Sequence, residues 1–101
     1  MKTKYTEIIR LKELLDYRNI PCEFIDRNKI FDKDNLLNYN WGYQIIVYKP
    51  NTRERLISVI EGFGTYGESE NLLEIWESGK EDVEGYLSCK EVFERIMEVY
   101  K

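Results

Sequence analysis

The chain contains no histidine. That removes the commonest general base, the commonest zinc ligand and every Ser-His or Cys-His nucleophile pair. With no catalytic motif elsewhere, the expectation is a protein that binds rather than catalyses, with no metal and no cofactor. Cysteine is scarce: Cys22 and Cys89 lie far apart, outside any metal-binding spacing, and read as buried thiols rather than a disulfide. No apolar run approaches the ~20 residues that span a bilayer. The first residues, Met1-Lys2-Thr3-Lys4-Tyr5-Thr6-Glu7, contain no apolar stretch of the signal-peptide kind, so a cytoplasmic protein without a membrane partner is expected. The only prolines, Pro21 and Pro50, both fall where the chain must turn.

What is present fits one folded domain, residues 1–101, with 43% hydrophobic and 34% charged residues. The net charge of −4 conceals an asymmetry. Residues 1–55 hold 11 Lys/Arg against 8 Asp/Glu, and residues 56–101 hold 4 against 11. An acidic chain without a Lys/Arg cluster is a poor partner for duplex DNA. Aromatics are plentiful, with eight tyrosines, two tryptophans and four phenylalanines.

Periodicity then assigns elements. Ile8, Leu11, Leu14 and Leu15 make one apolar stripe of a helix over Tyr5–Arg18, with Thr3 or Thr6 as its cap and Asn19, Ile20 and Pro21 as its stop. Cys22–Asp26 reads as a short strand. Arg27–Asn40 is Asn/Asp-rich, either a long loop with one helical turn near Asp34–Asn38 or an insertion between strands. Tyr43–Tyr48 and Arg55–Glu61 form an antiparallel hairpin around the Lys49–Thr52 turn. Apolar residues occupy both faces of this hairpin: Tyr43, Ile45 and Val47 on one, Ile46 and Tyr48 with Gln44 on the other. The second face therefore needs a cover: a helix, a ligand or another subunit. A homo-oligomer is the expectation this raises. A glycine-rich loop, Gly62–Gly67, leads to a helix over about Ser69–Ser78 that buries Leu72, Leu73, Ile75 and Trp76 and ends at Gly79. Gly85-Tyr86-Leu87 is the candidate for an extra strand. Ser88-Cys89-Lys90-Glu91 is a capping box that opens a last helix, Cys89–Tyr100. The fold class is α+β: a small antiparallel sheet of three strands, four if Gly85–Leu87 counts, with three helices in the order α-β-β-β-α-(β)-α.

The loop carries the chemistry the sequence offers. Gly62, Gly64 and Gly67 let backbone amides approach a ligand, and Thr65, Tyr66 and Ser69 add hydroxyls, with Phe63 between them. The motif is neither a P-loop, lacking G-K-[ST], nor a dinucleotide fingerprint, since it follows an antiparallel hairpin. Glu61, Glu68 and Glu70 flank it, so an anion there needs cations from elsewhere. Arg53 and Arg55, with Lys49, are the nearest supply in sequence. Tyr43, with Trp41 and Tyr48, could stack a base. The alternative is that the glycines serve a tight crossing and nothing more.

Four segments, L-K-E-L-L-D-Y-R-N-I-P-C-E-F, G-Y-Q-I-I-V-Y, S-V-I-E-G-F-G-T-Y-G-E-S-E-N-L-L-E-I and D-V-E-G-Y-L-S-C-K-E-V-F-E-R-I, together resemble a family of small phage and prophage proteins of Firmicutes. The resemblance covers nearly the whole chain, with Phe63–Gly67 in its most distinctive block. The Arg27–Asn40 stretch is longer here than in related chains. It implies a counter-defence binding protein in the bacterial host cell. The partner would be either a small nucleotide-like immune signal, sequestered near the glycine-rich loop, or a host defence protein, inhibited in the manner of an anti-CRISPR.

Overall fold

A computed structural model describes residues 5–31 and 40–100. The first helix, α1 (Thr6–Tyr17), buries Ile8, Leu11 and Leu15, the expected stripe. Its stop is a Schellman motif. Asn19 takes φ +57°, its amide donates to the Asp16 carbonyl at 3.0 Å, and the Ile20 amide donates to the Leu15 carbonyl at 2.9 Å. Its start differs from the expectation of a threonine cap. Tyr5 is the N-cap residue, left-handed at φ +66°, and its side chain does not cap.

Five strands follow as a meander: β1 (Cys22–Asp26), β2 (Tyr43–Tyr48), β3 (Arg55–Glu61), β4 (Leu73–Glu77) and β5 (Glu84–Leu87), each antiparallel to the next. A single turn of helix, α2 (Asn28–Phe31), follows β1, with the Asp26 carboxylate accepting from the Asn28 amide at 3.0 Å. The expected turn near Asp34–Asn38 lies outside the described residues. The chain closes with α3 (Cys89–Val99), where Ser88 and Glu91 form the full capping box.

The α+β class and the central hairpin stand; the expected element order does not. The stretch expected as a helix over Ser69–Ser78 is one 3-10 turn, Glu68–Glu70, ended by Asn71 at φ +56°, and then strand β4. Leu72, Leu73, Ile75 and Trp76 fit a helical stripe, but Leu73 and Ile75 also alternate. Alternation prevails because β3 would otherwise leave a buried edge of unpaired amides and carbonyls; β4 pairs Val59 with Ile75 and Ile57 with Glu77. Gly79 has the positive φ expected of it, +84°, but in the β4–β5 hairpin rather than at a helix end. The candidate strand at Gly85–Leu87 is β5.

The two longer helices pack on one face of the sheet. Ile45, Val47, Ile57, Val59, Leu73, Ile75 and Leu87 meet Ile8, Leu11, Leu15, Val92 and Ile96 there. The opposite face presents two rows that run across the strands: Glu23–Ile46–Ser58–Trp76, and Ile25–Gln44–Ile60–Glu74. Polar groups on it are paired with one another, as where Gln44 Nε2 donates to Ser58 Oγ at 2.8 Å. A bulge sets Tyr48 opposite Arg55, and Leu56 packs at the core margin.

Candidate functional site

Strand β3 separates the residues that the sequence analysis grouped. Its 7 residues span about 20 Å. The glycine-rich loop lies beyond Glu61 at one end, and Arg53 and Arg55 lie at the other. Tyr43 pairs with Glu61 and stacks on Phe24 at 5.2 Å between ring centroids, on the helix-covered side of the sheet.

The loop is built around its own carboxylates. Gly62 meets Gly42 where β2 begins and β3 ends: a Cβ on Gly62 would stand 1.8 Å from the Trp41 carbonyl oxygen, and one on Gly42 1.8 Å from that of Glu61. No side chain fits either position. The Gly62 amide donates to Thr65 Oγ1 at 3.2 Å and the Phe63 amide to the Asn40 carbonyl at 3.1 Å. The Gly64 amide points at Glu68 Oε1 at 3.4 Å, and the Tyr66 amide donates to Glu74 Oε1 at 2.9 Å. Carboxylates thus already occupy positions an incoming anion would take. Gly67 packs against Leu72, Ser69 sits exposed in the 3-10 turn, and Phe63 meets Trp41 edge-on at 5.5 Å. No α-helix follows to lend a dipole.

Glu61 belongs to the helix layer. Fully buried, it accepts from the Ile8 amide at 3.0 Å, so it caps α1 where no local side chain does. Its other oxygen, Oε2, has no partner among the described residues. Burial pushes its carboxyl above the ordinary range, and the amides of Ile8 and Glu7 act against that shift. The same device recurs at α3, where Glu7 Oε2 accepts from the Cys89 amide at 2.9 Å. Burial first, and then the Glu7 charge, push the Cys89 thiol up to about 11, which leaves it protonated and unreactive at neutral pH.

The other end of β3 holds an open recess. A cleft of about 560 Å³ lies between the β2–β3 turn and the end of α3, lined by Pro21, Tyr48, Lys49, Asn51, Thr52, Arg53 and Tyr100. The turn is fixed by Lys49 N–H donating to the Glu54 carbonyl at 2.8 Å and by Asn51 at φ +60°. Both tyrosine hydroxyls are bonded within the protein: Tyr100 donates to the Tyr48 carbonyl, and Tyr48 donates to Glu23 Oε1 at 2.6 Å at the surface. The hydrogen bond to Glu23 raises the Tyr48 pKa, and burial raises that of Tyr100. Lys49 has a loose pairing with Glu54 at 3.4 Å, and among the described residues no carboxylate is within ion-pair distance of Arg53 or Arg55. By contrast Arg95 is held by Glu77 and Glu84 at 2.8 Å each, as a structural clamp.

Lys49 was already in the basic group read from sequence. Pro21 and Tyr100 had no local signal, because the fold alone brings the α1–β1 connection and the end of α3 beside the turn. Among the described residues no three acidic, cysteine or histidine side chains gather as a metal site, and no helix is long and apolar enough to cross a membrane. Set against known protein families, curated proteins and solved structures, the chain matches none.

Proposed function

We propose that the chain is a non-catalytic binding protein for a small phosphate-bearing ligand, held in the cleft at the β2–β3 turn. One observation carries this reading: a recess of about 560 Å³ that combines Lys49 and Arg53 with Asn51, beside an Arg55 that has no carboxylate partner among the described residues. Guanidinium groups without internal partners bind phosphate by paired charge-assisted hydrogen bonds, and an ammonium adds a point charge. The glycine-rich loop, its amides turned to Glu68 and Glu74, contributes structure instead. In a phage-type protein of the host cytoplasm, the role would be sequestration of a nucleotide-derived immune signal.

Thermal unfolding in the presence of pyrophosphate, nucleoside diphosphates, ADP-ribose and cyclic dinucleotides tests the reading. A ligand at a hundred times its Kd should add about 2.7 kcal/mol of stability. Arg53→Glu combined with Lys49→Glu should abolish the shift. No stabilisation by any of these compounds, or a shift that survives the double reversal, rejects the cleft as the site.

A further inference from the structure

The two edges of the sheet are unlike. At β5 the pairing with β4 shifts register between Leu73 and Ile75, and Tyr86 sits at φ +61°. The glycine-rich loop lies against this strand: the Tyr86 amide is directed at the Tyr66 carbonyl at 3.5 Å, and a Cβ on Gly85 would stand 2.3 Å from that of Tyr66. An irregular ladder, a left-handed residue and an adjoining loop close an edge to further strands. Among the described residues β1 has none of these. All five residues, Cys22 to Asp26, pair with β2 without a register shift, and none has a positive φ. The strand holds no lysine and no proline, and Phe24 at its centre is 36% exposed.

One hydrogen bond fixes the phase of the ladder. The Arg27 amide donates to the Gly42 carbonyl at 3.0 Å, one step past the Asp26–Tyr43 pair. Directly opposed residues of an antiparallel pair exchange bonds only at alternate positions, so Ile25 and Glu23 are turned to β2. The N–H and C=O groups of Cys22, Phe24 and Asp26 point outward, where β1 has no neighbouring strand. We infer that this edge pairs with the same edge of a second copy of the chain, antiparallel about a two-fold axis that passes between the two Phe24 residues, normal to the sheet. Phe24 then lies opposite Phe24, Cys22 opposite Asp26 and Glu23 opposite Ile25. Every outward backbone group of β1 finds a partner, two aromatic rings meet, and no carboxylate stands directly opposite another. Charge selects a second copy over an unrelated strand. Cys22 shares the helix-side face with Phe24 and Asp26, because strand side chains alternate. Burial raises the Cys22 pKa and the charge of Lys12 on α1 acts against it, so that ammonium stands near Cys22. Lys12 holds its own Asp16 at 2.6 Å, and across the axis it also meets Asp26 of the second copy. Symmetry makes that contact twice. The pairing is independent of the phosphate-binding reading.

Sedimentation equilibrium from about 1 µM to about 1 mM should show a reversible monomer–dimer equilibrium, as suits a contact smaller than a standard interface. Phe24→Pro removes an outward N–H and no bond to β2, so it should give a monomer with the circular dichroism of the wild type. If Phe24→Pro fails to fold, Lys12→Glu on the exposed side of α1 makes the comparison instead. It gathers three carboxylates at each end of the paired strands and should weaken the dimer by about ten-fold or more. Adding Asp26→Lys to Lys12→Glu should restore the dimer, which a role confined to one copy would not do. A wild type that stays monomeric over the whole range overturns the edge pairing. So does a dimer that survives Phe24→Pro or Lys12→Glu in a folded protein, or a charge exchange that restores nothing.

Discussion

At the scale of single residues, the least expected is Glu61. A glutamate at the end of a strand reads as a solvated charge, and next to the glycine-rich loop it reads as repulsion toward an anion. Its place in the alternation Ile57, Val59, Glu61 puts it on the core face instead, where the bare N-terminus of α1 receives it. Burial raises its folded pKa above the ordinary 4.5. Between those values the folded protein keeps a proton that the unfolded chain has released, so the stability that Glu61 contributes falls as pH rises through this window. Glu61→Gln removes the titration and keeps an acceptor for the Ile8 amide. Urea unfolding of both proteins from about pH 4 to about pH 8 should therefore show the wild type losing stability relative to the variant as pH rises. A difference that is flat, or that grows in favour of the wild type, contradicts the buried cap.

At the scale of elements, legibility followed the source of each signal. The hairpin β2–β3, the α1 stop at Asn19 and the Ser88 capping box are set by neighbours in sequence, and each lies where its residues put it. Strand β4 is set by a long-range need, the free edge of β3, and residues 69–78 support either period. The glycine-rich loop was legible as a special backbone and illegible as to purpose. The close crossing of Gly42 and Gly62 involves residues twenty positions apart, and no local pattern announces it. The basic half of the candidate site was visible as Lys49, Arg53 and Arg55, whereas its distance from the loop follows from the direction of β3. The crossing gives an ordered prediction. Gly62→Ala, which drives a Cβ into the Trp41 carbonyl, should destabilise by more than about 3 kcal/mol in equilibrium unfolding. Gly64→Ala meets no atom within 4 Å and carries only the strain of φ +83°, about 1–2 kcal/mol. The reverse order would mean that the loop's mid-point, not the strand crossing, holds the glycine constraint.

At the scale of the molecule, the two layers are joined by polar ties as well as by the core. Glu61 of β3 caps α1, Glu7 of α1 takes the first amide of α3, Arg95 of α3 clamps β4 and β5, and Tyr100 reaches back to β2. The ties made by Glu61, Glu7 and Tyr100 link elements distant in sequence, so loosening one of them loosens the layer rather than fraying an end. The positive and negative halves of the chain meet in this arrangement: acidic groups from both sit at helix starts, where unpaired amides favour negative charge. Glu7→Ala leaves the Ser88 capping box intact and removes the tie between helices together with a 3.5 Å surface ion pair to the exposed Arg10, a small contribution beside the lost cap, so its effect chiefly reports the coupling. It should cost about 1–2 kcal/mol, comparable to loss of an N-cap. That corresponds to a fall in Tm of roughly 4–8 °C per kcal/mol for a domain of this size. Calorimetry should still show one transition, with near- and far-ultraviolet circular dichroism melting together. Earlier loss of the near-ultraviolet signal would show instead that helices and sheet come apart in stages, and that the ties are incidental to cooperativity.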